Sequence, residues 1–295
     1  MPAIILGLTL SLMTSICLAQ PIEFRDDMNR VVSLEAPAER IVALSHYAVD
    51  PLIEMGVTPV ARGDVKFELT EKAEHIHAVS VRHGAGPNIE QVAALEADLI
   101  IVSIVHAGFV DSIEKATDVP VAVMDPTSLD DLTAEIRKLG TITGKEKLAD
   151  SVAVEIESQI ESVLANHADC DETVYALFGA PGSFFAFLPN TYLGAMIDDV
   201  GGVLVAPGEE NKTYRGFSAF SIESALAADP DVILLISHMA PEPQLQMLNS
   251  IPGWTSLRAV KEGRVYTLAE HQFVSAPGTD PVGAYEKLIS LLEEG

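Results

Sequence analysis

Short apolar runs alternate along the chain with stretches in which apolar positions recur every three or four residues. The first pattern predicts buried strands and the second amphipathic helices. Apolar positions flank the turn-type cluster Asp27 to Arg30 within residues 22–32 and predict a hairpin. Residues 40–45 (RIVALS) predict a buried strand, 46–50 a loop, 51–55 a helix closed by Gly56, and 57–62 a further strand. The runs at 98–103 and 119–124 continue the rhythm. Strands apolar on both faces, separated by helices, predict a parallel sheet covered on both sides.

From 127 to 167 the pattern is helical, interrupted by the glycines at 140 and 144 and without a breaker from Lys145 to Asn166. That last segment would span on the order of 33 Å, enough to cross between two lobes. The second half then repeats the rhythm, with strands at 173–178, 231–237 and 264–268 and helices at 191–200 and 281–292. The expected fold is therefore α/β, two Rossmann-like lobes with central parallel sheets joined by a single long α-helix. The expected boundaries are a lobe at 20–143, the joining helix at 144–167 and a second lobe at 168–295. Residues 1–19 carry no charge and hold a short apolar run that stops at Cys17-Leu18-Ala19, which reads as a secretory signal cut after Ala19.

An internal echo supports two similar halves. Residues 89–100 (IEQVAALEADLI) align without gaps on 222–233 (IESALAADPDVI), and each copy follows a helix-capping residue, Asn88 or Ser221.

Composition narrows the function. The chain has 295 residues, 48% hydrophobic and 21% charged, the balance of a folded protein. Its net charge of −25 excludes a nucleic-acid partner, because phosphate binding requires a basic face. Of the two cysteines, Cys17 and Cys170, only the second would survive cleavage, so no intramolecular disulfide or cysteine-based metal site is expected. An enzyme is not expected either: HExxH, GxSxG, GxGxxG and P-loop motifs are all missing.

Several stretches, in order, resemble the iron-chelate and cobalamin class of periplasmic binding proteins. They are 27–31 with 40–44, 87–90 with 97–101, 193–202, 221–223 with 228–233, and 254–268. The resemblance implies two Rossmann-like lobes bridged by one long helix, a monomer outside the cytoplasm, and an ABC importer permease as partner. Its implied cargo is an iron complex, a siderophore or haem, with cobalamin as the alternative, and no intrinsic cofactor. Family members dock on the permease through one glutamate per lobe at the start of a helix; the matching positions are Glu90 and Glu223. Such exposed carboxylates pair with arginines and set the register of docking.

In an open parallel sheet a ligand binds beyond the carboxyl ends of the strands. That rule selects His46, Tyr47, Arg62, Arg82, His83 and His106 in the first half. In the second half it selects Tyr214, Arg215, His238, Met239 and His271. Arginines would meet the negative charge of a ferric chelate, and neutral imidazoles would complete an unsaturated iron. Aromatic residues such as Phe187, Tyr192 and Phe217 are candidates to pack on a flat ligand. The segment Ser237-His238-Met239 resembles that of haem-binding members in which a histidine is the axial ligand, which implies His238 as a metal ligand for haem or an unsaturated chelate. The methionine such members carry in the first half is replaced here by Gly84-Ala85-Gly86, so that His46, or else Tyr47 or His83, would stand in as the second metal ligand. A free zinc or manganese binder, or a zinc hydrolase, would require three or four convergent ligands. The pair His75 and His77 lies instead in an acidic, turn-rich segment.

Overall fold

A computed structural model describes residues 21–65, 69–82, 85–167, 170–180, 183–205, 208–211, 215–237, 241–274 and 280–293. The signal-like segment at 1–19 lies outside the described residues.

The chain opens with the antiparallel hairpin β1 (Ile22–Arg25) and β2 (Val31–Leu34). Asp26 holds its turn: the carboxylate accepts from the Arg30 side chain and backbone and from the amide of Val123. Next come β3 (Ile41–Ala43), α1 (Val49–Glu54), β4 (Ala61–Gly63), α2 (Glu71–Glu74) and β5 (Ala78–Val79). A small hairpin of β6 (Val81–Arg82) and β7 (Gly86–Pro87) leads to α3 (Ile89–Ala93), β8 (Leu99–Val102), α4 (Val110–Thr117) and β9 (Val121–Val123). Strands β5, β4, β3, β8 and β9 pair in that order, all parallel.

Two helices follow, α5 (Leu129–Thr143) and α6 (Glu146–Ala165). The break between them falls at Gly144, which caps α5 in the left-handed region at φ 66°. Gly140 does not interrupt α5, contrary to the expectation from the sequence. A side chain there would collide with Ala149, so its missing Cβ lets α5 and α6 pack closely.

The second half contains β10 (Thr173–Ala180), β11 (Ser183–Phe187), α7 (Tyr192–Asp199), β12 (Val203–Leu204), β13 (Phe217–Ala219) and α8 (Ile222–Ala228). It continues with β14 (Val232–Ser237), α9 (Pro241–Ser250), α10 (Arg258–Glu262), β15 (Val265–Ala269), α11 (Glu270–Phe273) and α12 (Pro281–Glu293). Strands β12, β10, β14 and β15 pair in parallel, while β11 and β13 add an antiparallel flank. The hairpin of β10 and β11 is not among the elements predicted from the sequence, because the apolar run of β11 does not alternate with polar residues.

Side chains alternate across each parallel strand, as the pleat requires. Ile41 and Ala43 face one core while Val42 and Leu44 face another; Leu234 and Ile236 are likewise opposed to Ile233 and Leu235. One apolar cluster is continuous from the first sheet through Leu132, Ile136, Ala149, Ala153 and Ile160 of α5 and α6 to Leu193 and Leu288. Fully burying each such leucine or isoleucine contributes roughly 1.5–3 kcal/mol.

Candidate functional site

The echo seen in the sequence is a structural repeat. Asn88 and Ser221 each cap a helix by accepting from the amide three residues on, Gln91 and Ser224. Glu96 and Asp229, equivalent positions, both adopt the left-handed region that ends the helix. Asp98 then accepts from the amides of Glu39 and Arg40 ahead of β3. Its counterpart Asp231 accepts from the amide and hydroxyl of Thr173 at the head of β10. In both halves a helix, a left-handed turn and an aspartate thus anchor the amino end of a central strand.

The carboxyl ends, where a ligand is expected, present the predicted residues as follows. His46 lies in a 3-10 turn, His46–Ala48, directly after β3, and His271 lies in α11, directly after β15. These two, one from each half, meet. Burial, reinforced by the charge of His271, pushes the His46 imidazole down to about 4, against an opposing hydrogen bond that the ring donates to the His271 backbone carbonyl. Burial also lowers His271. His46 is therefore neutral at physiological pH. The carboxyl edges of the two sheets face each other at this contact.

Tyr47 is buried and its hydroxyl donates to Glu135 at 2.8 Å. The Arg62 guanidinium donates to the carbonyls of Ala73 and Gly63, tying the end of β4 to α2. Arg82 is exposed on β6. His106 sits in a 3-10 segment, Ile104–Phe109, with Nδ1 3.4 Å from the Ser103 hydroxyl. Arg215 is exposed, and its charge helps hold Glu210 below the usual carboxylate range, after hydrogen bonds from Gly216 and Asn190. His83, Tyr214, His238 and Met239 lie outside the described residues. Phe187 and Tyr192 belong to the core, Phe187 packing on Phe217 with ring centroids 4.8 Å apart. Glu90 and Glu223 are exposed in the first turns of α3 and α8. The carboxylate of Glu223 is held low by its own backbone amide and by the Ser221 hydroxyl at 2.9 Å.

Sequence reasoning missed a set of carboxylates at the same carboxyl edge of the first sheet. Asp125 follows β9, Asp27 lies in the β1–β2 turn, and Glu135 projects from α5. Asp27 accepts from the Asp125 amide at 2.6 Å, and the Ile104 amide bonds to the Asp125 carboxylate. Glu135 receives Tyr47 and Lys138, whose ammonium also lies 3.9 Å from Asp27. Burial, reinforced by the charge of Asp27, pushes Asp125 and Glu135 each to about 7. The strand-end rule, applied to β9 as to the other strands, would have selected Asp125.

A groove of about 430 Å³ also opens between α1, α6 and the start of α12. It includes none of the strand-end residues and is lined by Glu54, Glu155 and Asp280, a poor setting for an anionic chelate. Among the described residues no three His, Cys, Asp or Glu side chains are arranged to hold a metal ion.

A junction of two α/β units at the carboxyl ends of their strands is a common setting for a ligand site. Residues 41–271 match the periplasmic binding protein family, and the chain belongs to that family of binding proteins rather than enzymes. It is 24% identical over 216 residues to the cobalamin-binding protein of Halobacterium salinarum; the match takes 72% of this chain and spans 58% of that relative's length. It is 27% identical over 232 residues to the ferric-anguibactin-binding protein FatB of Vibrio anguillarum, covering 76% of this chain and 70% of FatB. The fold matches the crystal structure of Staphylococcus aureus IsdE complexed with heme with a TM-score of 0.73 at 22% identity, covering 86% of this chain and 98% of that one. No described helix is long and apolar enough to cross a membrane.

Proposed function

We propose that the chain captures an iron complex, a siderophore or haem, between the two carboxyl edges and delivers it to an ABC importer permease. The observation that carries this reading is the meeting of His46 and His271 from opposite halves at those edges. The names of FatB and IsdE point to the same cargo class. The match to the cobalamin-binding protein supports cobalamin as a second reading. In this account residues 20–143 and 168–295 act as lobes, and α6, packed on both α1 and α12, is the rigid link between them. A continuous helical link limits hinge motion, so release would follow docking through Glu90 and Glu223. His238, where haem or an unsaturated chelate is the cargo, supplies the metal ligand. The protein would work as a monomer outside the cytoplasm, a placement supported by relatives named as ABC transporter substrate-binding lipoproteins.

The test is a quenching titration of Trp254 fluorescence with haem, ferric citrate, ferric siderophores and cobalamin. Saturable binding of one iron complex, weakened roughly tenfold or more by His271→Ala, is the expected result. Binding of cobalamin alone would transfer the assignment to the second reading, and binding of none would overturn both.

A further inference from the structure

The carboxylates at the edge of the first sheet, Glu135 buried, Asp125 half-buried and Asp27 exposed, have no place in the capture mechanism above, yet they hold the segments that form its mouth. Glu135 grips Tyr47, in the turn after β3, and Asp125 grips the Ile104 amide, at the head of the 104–109 segment after β8. Asp27 joins the two by binding the Asp125 backbone, and it pins the N-terminal hairpin to the end of β9 through its own amide on Val123. We propose that Asp27, Asp125 and Glu135 form a proton-operated clamp that sets how firmly segments 46–48 and 104–109 are held at the ligand-facing edge.

The charge balance gives the mechanism. The groups facing the cluster are Tyr47 from the turn after β3, Lys138 and Glu135 from α5, Asp27 from the hairpin, and the Ile104 amide from the segment after β8. Arg30, close by in the hairpin, is committed to Asp26, Glu114 and the Val121 carbonyl. Among the described residues Lys138 is thus the cation available to the three carboxylates. With Asp125 and Glu135 protonated, the Asp27 and Lys138 charges cancel. With both ionised, two uncompensated negative charges share a desolvated site and push Asp125 and Glu135 away from Asp27. The linkage sign follows. Both groups titrate at about 7 in the folded protein, against about 4 for an exposed carboxyl, so the native state holds more protons between those values. Their contribution to stability is full below pH about 4 and is lost as pH rises through 7.

The clamp requires no ligand, so it is tested on the ligand-free protein, and its fate is separable from that of the iron-complex reading. Amide hydrogen exchange is measured at pH 6 and pH 8, corrected for intrinsic rates. Protection of segment 104–109 is expected to fall about tenfold at the higher pH, the equivalent of one pKa unit. The variant combining Asp125→Asn with Glu135→Gln should show no such fall. Asp27→Asn keeps the acceptor for the Asp125 amide but removes the charge that raises Asp125 and Glu135, and should shift the transition to lower pH. The Asp27→Asn protein also covers the case in which the double variant does not fold. A wild-type protection unchanged between the two pH values, or a fall that persists unaltered in Asp27→Asn, would overturn the clamp.

Discussion

The α3–β8 unit of the first half and the α8–β14 unit of the second share a construction at one end and diverge at the other. At the amino ends of the central strands, the helix cap, the left-handed turn and the anchoring aspartate recur at equivalent positions. At the carboxyl edges the first half carries the Asp27–Asp125–Glu135 cluster, whereas the second half turns β10 back into the antiparallel β11. The repeated end solves a folding problem common to both halves, since unpaired amides at a strand head must be satisfied. In the proposed reading the divergent end is where the ligand is met, so that duplicated geometry belongs to the scaffold and its loss to the proposed mouth.

The repeat places Glu90 and Glu223 at equivalent positions on separate halves, and the largest effect is expected from removing both. The combined Glu90→Ala and Glu223→Ala protein should lose transport of cargo into whole cells while binding it as tightly as wild type. Each single variant should fall between these extremes, because one ion pair still sets the docking register. Cargo affinity measured on the purified proteins separates the cases: a double variant that binds poorly would place these glutamates at the ligand and end the docking role.

The anchoring aspartates are next. Asp231 bonds the Thr173 amide and hydroxyl and pairs with Arg258 at 2.5 Å, whereas Asp98 bonds the Glu39 and Arg40 amides. Replacing either by alanine leaves strand-head donors without their acceptor, at about 1–3 kcal/mol. Asp231→Ala should lie near the upper end of that range and Asp98→Ala near the lower, because the former also strands a guanidinium. Urea unfolding midpoints give the order, and an equal or larger loss at Asp98 would show that the two anchors are not set apart by Arg258.

The alternation of strands and helices was legible from the chain because both sheets are buried on both faces, so that 40–45, 98–103 and 231–237 read as unbroken apolar runs. The two long helices were legible as well, but Gly140 was misread because a helical glycine at a close crossing looks the same in sequence as a glycine that ends a helix. His46 and His271 were each placed at a strand end by rule, yet their meeting depends on how the halves are apposed, which no local pattern encodes. The acidic cluster was hidden for a related reason. Asp27 lies about a hundred residues before Asp125 and Glu135, and the three converge only when the N-terminal hairpin folds onto β9. In a chain with 43 acidic residues, nothing about their identity sets them apart.

The smallest effects are expected at the helix caps, and they sharpen the comparison most finely. Asn88 and Ser221 accept from the amides of Gln91 and Ser224 at 3.1 and 3.2 Å, so alanine at either should cost about 1 kcal/mol in urea unfolding. Ser221 has a second task, because its hydroxyl also donates to Glu223. Ser221→Ala should therefore raise the Glu223 carboxyl toward the ordinary range, a change visible in an NMR titration of the side-chain carbon. If that titration does not move, the serine is a cap and nothing more, and Glu223 is left to its own backbone amide. A shift would show that one of two equivalent capping residues also holds the carboxylate proposed for docking, a role that the repeat alone does not supply.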